Sequence, residues 1–165
     1  FPWGCLQMRL PVSRAVGLSI VTMLAACGGH HDNIARATLQ SPKVYFYDTG
    51  LVEGDEGLRF ENLVATALHK HVQWQHDVQG QETGLHYIRT KDGAEVDFAL
   101  SHKGQLSHLV ECKLSDAKPH RALLRFAREQ PQAQAVQAVR HLPHSHALGD
   151  IQVMRADEYL NGLVA

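Results

Sequence analysis

Asp97, Glu111 and Lys113 are the residues of this chain whose types and spacing can do chemistry, and Glu61 joins them from upstream. Asp97 lies in Gly93-Ala94-Glu95-Val96-Asp97-Phe98, a turn running into an apolar strand. Glu111-Cys112-Lys113 closes the next apolar run, residues 106–113. Side chains two apart on a strand point to the same side. Glu111 and Lys113 therefore share a face, and a neighbouring strand can bring Asp97 against it. Two carboxylates there suit a hard divalent cation, Mg²⁺ or Mn²⁺, with an ammonium beside it. Such a cation polarises a phosphoryl oxygen and lowers the pKa of a bound water, the logic of metal-dependent phosphodiester hydrolysis. The plain alternative is a hairpin with ordinary edge charges.

The elements that must hold these residues follow from periodicity. A β-prone run, Val44-Tyr45-Phe46-Tyr47, stops at Asp48-Thr49-Gly50. A helix is predicted over about residues 58–71, with Phe60, Leu63, Val64, Ala67 and Leu68 as its buried stripe. Glu61 sits beside Phe60 at the border of that stripe. It is either a charge favoured by the helix dipole or a fourth member of the metal site aimed inward. Three strands should follow as a meander: one around Leu85 and Tyr87, then residues 94–100, then 106–113. Lys91-Asp92-Gly93 and residues 101–105 are the expected turns. A second helix is predicted from Pro119 to about Gln130, with Pro119 in its first turn. Further strands are expected over 133–139 and 151–154, and a short helix over 157–163 capped by Asp157.

On the second helix Leu123, Phe126 and Ala127 face inward, while Lys118, Arg121, Arg125 and Arg128 fall within one outer arc. That arc is a candidate track for phosphates, or else a solvated face. The histidines, including His30-His31 and His141, His144 and His146, show no zinc-like spacing and read as surface residues. There is no Gly-x-Ser-x-Gly elbow, no Gly-x-Gly-x-x-Gly fingerprint and no Gly-x₄-Gly-Lys phosphate loop, so no ATP site is expected.

A chain of 165 residues with 44% apolar and 20% charged residues belongs with soluble globular proteins. Its net charge of −1 means that any contact with a polyanion rests on a local patch. Three cysteines, Cys5, Cys27 and Cys112, form no disulfide framework, which fits a reducing, cytoplasmic setting. Residues 1–40, which begin at Phe1 rather than Met, read as a partial linker or the truncated end of an upstream domain. Within them, Met8-Arg9, Arg14, the apolar run 16–24 and Leu24-Ala25-Ala26-Cys27 match a bacterial lipoprotein signal. The competing reading is a buried strand or helix over 18–26. Membrane association is expected only if the lipoprotein box is real. Residues 28–42 read as a connection.

The order helix-Glu, strand-Asp, strand-Glu-x-Lys resembles the PD-(D/E)XK nuclease superfamily. A closer likeness runs over residues 33–160. Ser41-Pro42-Lys43-Val44-Tyr45-Phe46-Tyr47-Asp48-Thr49-Gly50-Leu51, Phe60-Glu61-Asn62-Leu63-Val64, Tyr87-Ile88-Arg89-Thr90, Glu95-Val96-Asp97-Phe98 and Glu111-Cys112-Lys113 carry it. They resemble the nuclease-like domain of unknown function that follows the core of prokaryotic AAA-type ATP-binding proteins. The resemblance implies an α/β fold over residues 41–165, a restriction-endonuclease-like mixed β-sheet flanked by helices. It implies Asp97 and Glu111 as metal ligands, and Lys113 and Glu61 as catalytic residues. The ATPase part is absent. Two function classes remain open on the residues: a Mg²⁺-dependent nuclease-like domain acting on nucleic acid, and a non-catalytic domain that binds nucleic acid or protein. An exported lipoprotein is the third.

Overall fold

Strand β1 (Ile20–Met23) pairs antiparallel with β2 (Lys43–Phe46), and the pair forms a small sheet of its own. The structure, a computed structural model, describes residues 20–23, 43–90 and 93–163. Apart from β1, the stretches read as an export signal and as a connection lie outside the described residues, as do Lys91 and Asp92 of the first expected turn.

Helix α1 (Glu56–Gln79) starts where the Asp55 carboxylate accepts from the Leu58 amide and ends at Gly80, whose φ of 64° is left-handed. It outruns the predicted end at residue 71. The apolar stripe fades there, but helix propagation is cooperative and continues through the polar turns until a glycine ends it. Its buried face is Phe60, Asn62, Val64, Ala65, Leu68 and Val72. Leu63, expected inside, is 45% exposed, and Ala67 is half-buried. The i, i+4 row from Phe60 to Val72 meets the sheet and leaves Leu63 on the flank.

The main sheet runs β3 (Thr83–Arg89), β4 (Glu95–His102), β5 (Gln105–Lys113), β6 (Gln134–Val139), β8 (Ile151–Arg155), β7 (His146–Leu148). The first three are antiparallel, as the meander requires; β6 and β8 join in parallel, and β7 pairs antiparallel at the far edge. This is a mixed α/β sheet covered by helices. The β4–β5 turn is shorter than expected. Lys103 and Gly104, at φ 49° and 74°, make the two-residue hairpin that needs left-handed residues at both centres. Strand β7 was not anticipated; it is short and exposed, so its sequence lacks an apolar run.

Helix α2 (Arg121–Glu129) connects β5 to β6. It starts two residues later than predicted: Pro119 stays outside it, and His120 takes the N-cap position without a side-chain cap. Helix α3 (Ala156–Asn161) also differs. Arg155 holds its N-cap position, and Asp157 sits in the first turn, paired with Arg155.

The core has a cluster on each side of the sheet. Phe60, Val64 and Leu68 of α1 pack with Phe98, Leu100, Val110 and Cys112. Leu123 and Phe126 of α2 pack with Val96, Ala99, Leu109 and Ala135. Strand β4 does not alternate cleanly between them. His86 pairs with Ala99 and Ile88 with Val96, so Tyr87 alone opposes both Asp97 and Phe98. That extra residue is a β-bulge, which re-aims the side chains beside it. It carries Asp97 and Phe98 together to the α1 side. Among the described residues no helix is long and apolar enough to cross a membrane.

Candidate active site

The ladder between β4 and β5 stops at the Phe98–Val110 pair, and the next backbone groups are bridged by side chains. The Cys112 amide donates to Asp97 Oδ2 at 2.9 Å, and the Asp97 amide donates to Glu111 Oε2 at 3.4 Å. Each carboxylate thus lies against the other's strand. Both splint the gap by satisfying amides that the ladder has abandoned.

Around this pair the two sides differ. On one side Lys113 Nζ lies 2.6 Å from Glu111 Oε1, and His120 Nδ1 lies 3.2 Å from the same oxygen. Glu111 is only 3% exposed, and His120 and Lys113 stand between it and solvent. On the other side Lys43 of β2 reaches in. Its Nζ is 2.6 Å from Glu95 Oε1, 3.1 Å from Glu61 Oε1 and 3.6 Å from Asp97 Oδ1. The Tyr45 hydroxyl donates to the same Glu61 oxygen at 2.8 Å. A cleft of about 250 Å³ opens here, lined by Leu58, Glu61, Asp97, Cys112, Lys113 and Leu114 among others.

Of the residues singled out in the sequence, Glu61, Asp97 and Lys113 share this cleft, and Glu111 lies behind it. Lys118, Arg121, Arg125 and Arg128 are exposed in and before α2, whose N-terminal end abuts Glu111 through His120. Arg125 is paired with Glu129 at 3.0 Å. The surface reading holds for His141, His144 and His146, which are exposed. It fails for His86, which is half-buried against Ser101, and it overlooked His120 at the site.

Four further residues carry the site and were missed. Lys43, Tyr45 and Glu95 alternate with neighbours in ways that place Lys43 with Tyr45, and Glu95 with Asp97, on common faces. Gln137 was visible as the amide flanked by apolar residues inside β6. It is fully buried, accepts from the His120 amide at 2.7 Å and donates to the Asp116 and Lys118 carbonyls at 2.8 and 3.0 Å. It thereby pins the loop that delivers His120 and Lys118.

The electrostatics follow from burial and crowding. Burial, then the charges of Glu111 and Glu61, push the Asp97 carboxyl up to about 6. Burial also raises Glu111, against the opposing pull of Lys113. Burial works against the ammonium of Lys113, but the Glu111 hydrogen bond and charge outweigh it, and its pKa rises. Burial and the nearby Lys113 charge lower His120.

Four carboxylates (Glu61, Glu95, Asp97, Glu111) face two ammoniums and the Arg89 guanidinium, 3.6 Å from Glu95. The cluster stays net negative. Among the described residues no three His, Cys, Asp or Glu side chains converge into a ready cage for a metal ion. A hard cation that keeps most of its water needs only one or two carboxylates. Asp97 lines the cleft beside Glu61 and can supply such a ligand, while Glu111 stands behind it with Oε1 held by Lys113 and His120.

A pH dependence follows. The folded-state pKa of Asp97 is raised, so its contribution to stability is full below the unfolded value near 3.8 and is lost as pH rises through about 6. Without metal, the stability of the wild type relative to Asp97→Asn should fall by roughly 2–3 kcal/mol between about pH 4 and pH 7.5. Urea unfolding of both proteins across that range measures it. A difference that stays flat would mean that Asp97 ionises without penalty.

Comparison with known proteins adds one finding. No curated protein and no solved structure matches the chain. A family model described as a domain of unknown function, DUF4143, matches residues 56–158, from the start of α1 into α3. With well over half its length covered by that match, the chain belongs to the DUF4143 family.

Proposed function

We propose that this domain is a nuclease-like module that binds nucleic acid and cleaves phosphodiesters with Mg²⁺ or Mn²⁺. The observation that carries the reading is the meeting of Asp97 and Glu111 where β4 and β5 part, with Lys113 beside them in a net-negative cleft. Asp97 and Glu111 would hold the cation, with Glu61 assisting across the cleft. When bound, the cation supplies a polarised phosphoryl oxygen and an acidified water. Lys113 remains charged, and its ammonium is placed to stabilise charge on the scissile phosphate. Lys118 and Arg121 lie at the site end of α2, and Arg125 and Arg128 continue the arc for the flanking phosphates. The buried free thiol of Cys112 agrees with a reducing, cytoplasmic setting.

The test is cleavage of a panel of labelled DNA and RNA, single- and double-stranded, with Mg²⁺ or Mn²⁺. Wild type should cut at least one member. Asp97→Asn keeps an oxygen for the Cys112 amide but removes the charge, and it should cut none. Wild-type inactivity across the panel would sink the enzymatic reading.

One observation favours a second reading, a non-catalytic interaction domain. Both carboxylates already serve as splints in the sheet, and the Lys43 ammonium already lies 3.6 Å from Asp97 Oδ1. In that reading wild type and Asp97→Asn bind nucleic acid or protein alike, and no metal is needed.

A further inference from the structure

Strand β2 stands outside the six-stranded sheet, yet it is tied closely to α1. The Asn62 amide clasps the backbone of Phe46 in both directions. The Phe46 N–H donates to Asn62 Oδ1, and Asn62 Nδ2 donates to the Phe46 carbonyl, each at 2.8 Å. Asn62 is 3% exposed and imitates the edge of a neighbouring strand. Tyr45, one residue back, tucks its ring against Phe98 with centroids 5.7 Å apart and donates its hydroxyl to Glu61. Two residues further back the same face ends in Lys43. Its ammonium sits among Glu61, Glu95 and Asp97 and 5.7 Å from the centre of the Tyr87 ring. Lys43 and its strand lie outside residues 56–158, the stretch matched by the family.

A primary ammonium surrounded by three carboxylates occupies the position that a bound cation would take on this side of Asp97. We propose that Lys43 is an intramolecular plug: strand β2 holds its ammonium among Glu61, Glu95 and Asp97, and a divalent cation gains full access to Asp97 and Glu61 only when Lys43 leaves. This rests on the reading of the site as a cation site. The clasp to α1 consists of two hydrogen bonds at Asn62 and the bonds of Tyr45 and Lys43 to Glu61, with the Tyr45 ring set in the core cluster behind them. The upstream segment that carries β1 and β2 thereby acquires control over the site. Like charges at this separation oppose each other strongly in a half-buried setting, so the plug and the metal exclude one another.

The test titrates Mn²⁺ by calorimetry into wild type, Lys43→Gln and the double variant Lys43→Gln/Asp97→Asn. Lys43→Gln keeps a donor for Glu61 and removes the charge. It should bind Mn²⁺ about tenfold tighter than wild type or better, and the double variant should lose that gain. Equal affinity in wild type and Lys43→Gln overturns the plug and leaves the metal reading standing. Absence of binding in both overturns the two together. If Lys43→Gln does not unfold cooperatively, amide exchange in the wild type decides. Saturating Mg²⁺ should speed exchange of the Phe46 amide as β2 withdraws, and unchanged or slower exchange refutes the proposal.

Discussion

On the nuclease reading, Lys113→Ala should lower the rate of metal-dependent cleavage by on the order of 10²-fold while leaving Mn²⁺ affinity unchanged or tighter. The side chain donates to Glu111 at 2.6 Å and still presents 26% of its surface to solvent. It is therefore held in place by one carboxylate and available to a phosphate. Its removal takes no ligand from the cation, and it deletes a positive charge that competes with the cation. On the same reading Asp97→Asn should differ, lowering Mn²⁺ affinity and activity together. The apo variant of Lys113 should also be less stable, because Glu111 is left buried with His120 and the Asp97 amide as its remaining partners among the described residues. Bound Mn²⁺ should then raise the melting temperature of Lys113→Ala by more than that of the wild type. Single-turnover cleavage with calorimetry separates the two contributions. A Lys113→Ala protein that cuts at the wild-type rate would remove this residue from the chemistry.

Phe98→Ala should destabilise the fold by roughly 3–5 kcal/mol, the usual cost of emptying a fully buried aromatic site. Phe98 is 0% exposed and is among the largest fully buried side chains. It lies in the α1-side cluster with Phe60, Val64 and Leu68, and its ring meets Tyr45 at an interplanar angle of 46°. The loss should therefore spread to the site. With Phe98 gone, Tyr45 loses its support, and the Tyr45–Glu61 hydrogen bond that steadies β2 weakens with it. Urea unfolding gives the stability loss, and exchange at the Phe46 amide reports the loosening of β2. A loss below about 1 kcal/mol would contradict the placement of Phe98 in the core.

Much of the architecture was legible because it depends on short-range pattern. Alternating apolar residues around Leu85, residues 94–100 and 106–113 marked three strands, and short polar turns between them made antiparallel pairing the simple outcome. The i, i+4 spacing from Phe60 to Leu68 marked α1, and Leu123 with Phe126 marked the inner face of α2. Boundaries were less legible. The start of α2 shifted because Pro119 is used before the helix, and α1 ran on because nothing before Gly80 stops it. Strand β7 has no apolar signature, since an exposed edge strand has no buried face to write into its sequence.

Residue types and order were enough to single out Asp97, Glu111, Lys113 and Glu61, since carboxylates and a lysine on adjacent strands are visible without coordinates. Their relation to one another was settled by packing. The bulge at Asp97–Phe98 has no local signature, because it arises from how β3 and β4 register against two helices at once. It turns Asp97 toward α1, while Glu111 reaches the same gap from beside α2. Lys43 enters from a strand that pairs with β1 rather than with the main sheet, so nothing in its neighbourhood announces the acidic cluster it fills. Gln137 and His120 meet only because β6 lies parallel to β5 and returns beneath the loop it steadies. Periodicity records what a residue's near neighbours require of it. The charge balance of this site is set by groups brought together from five separate elements, and only the folded chain brings them within ion-pair distance.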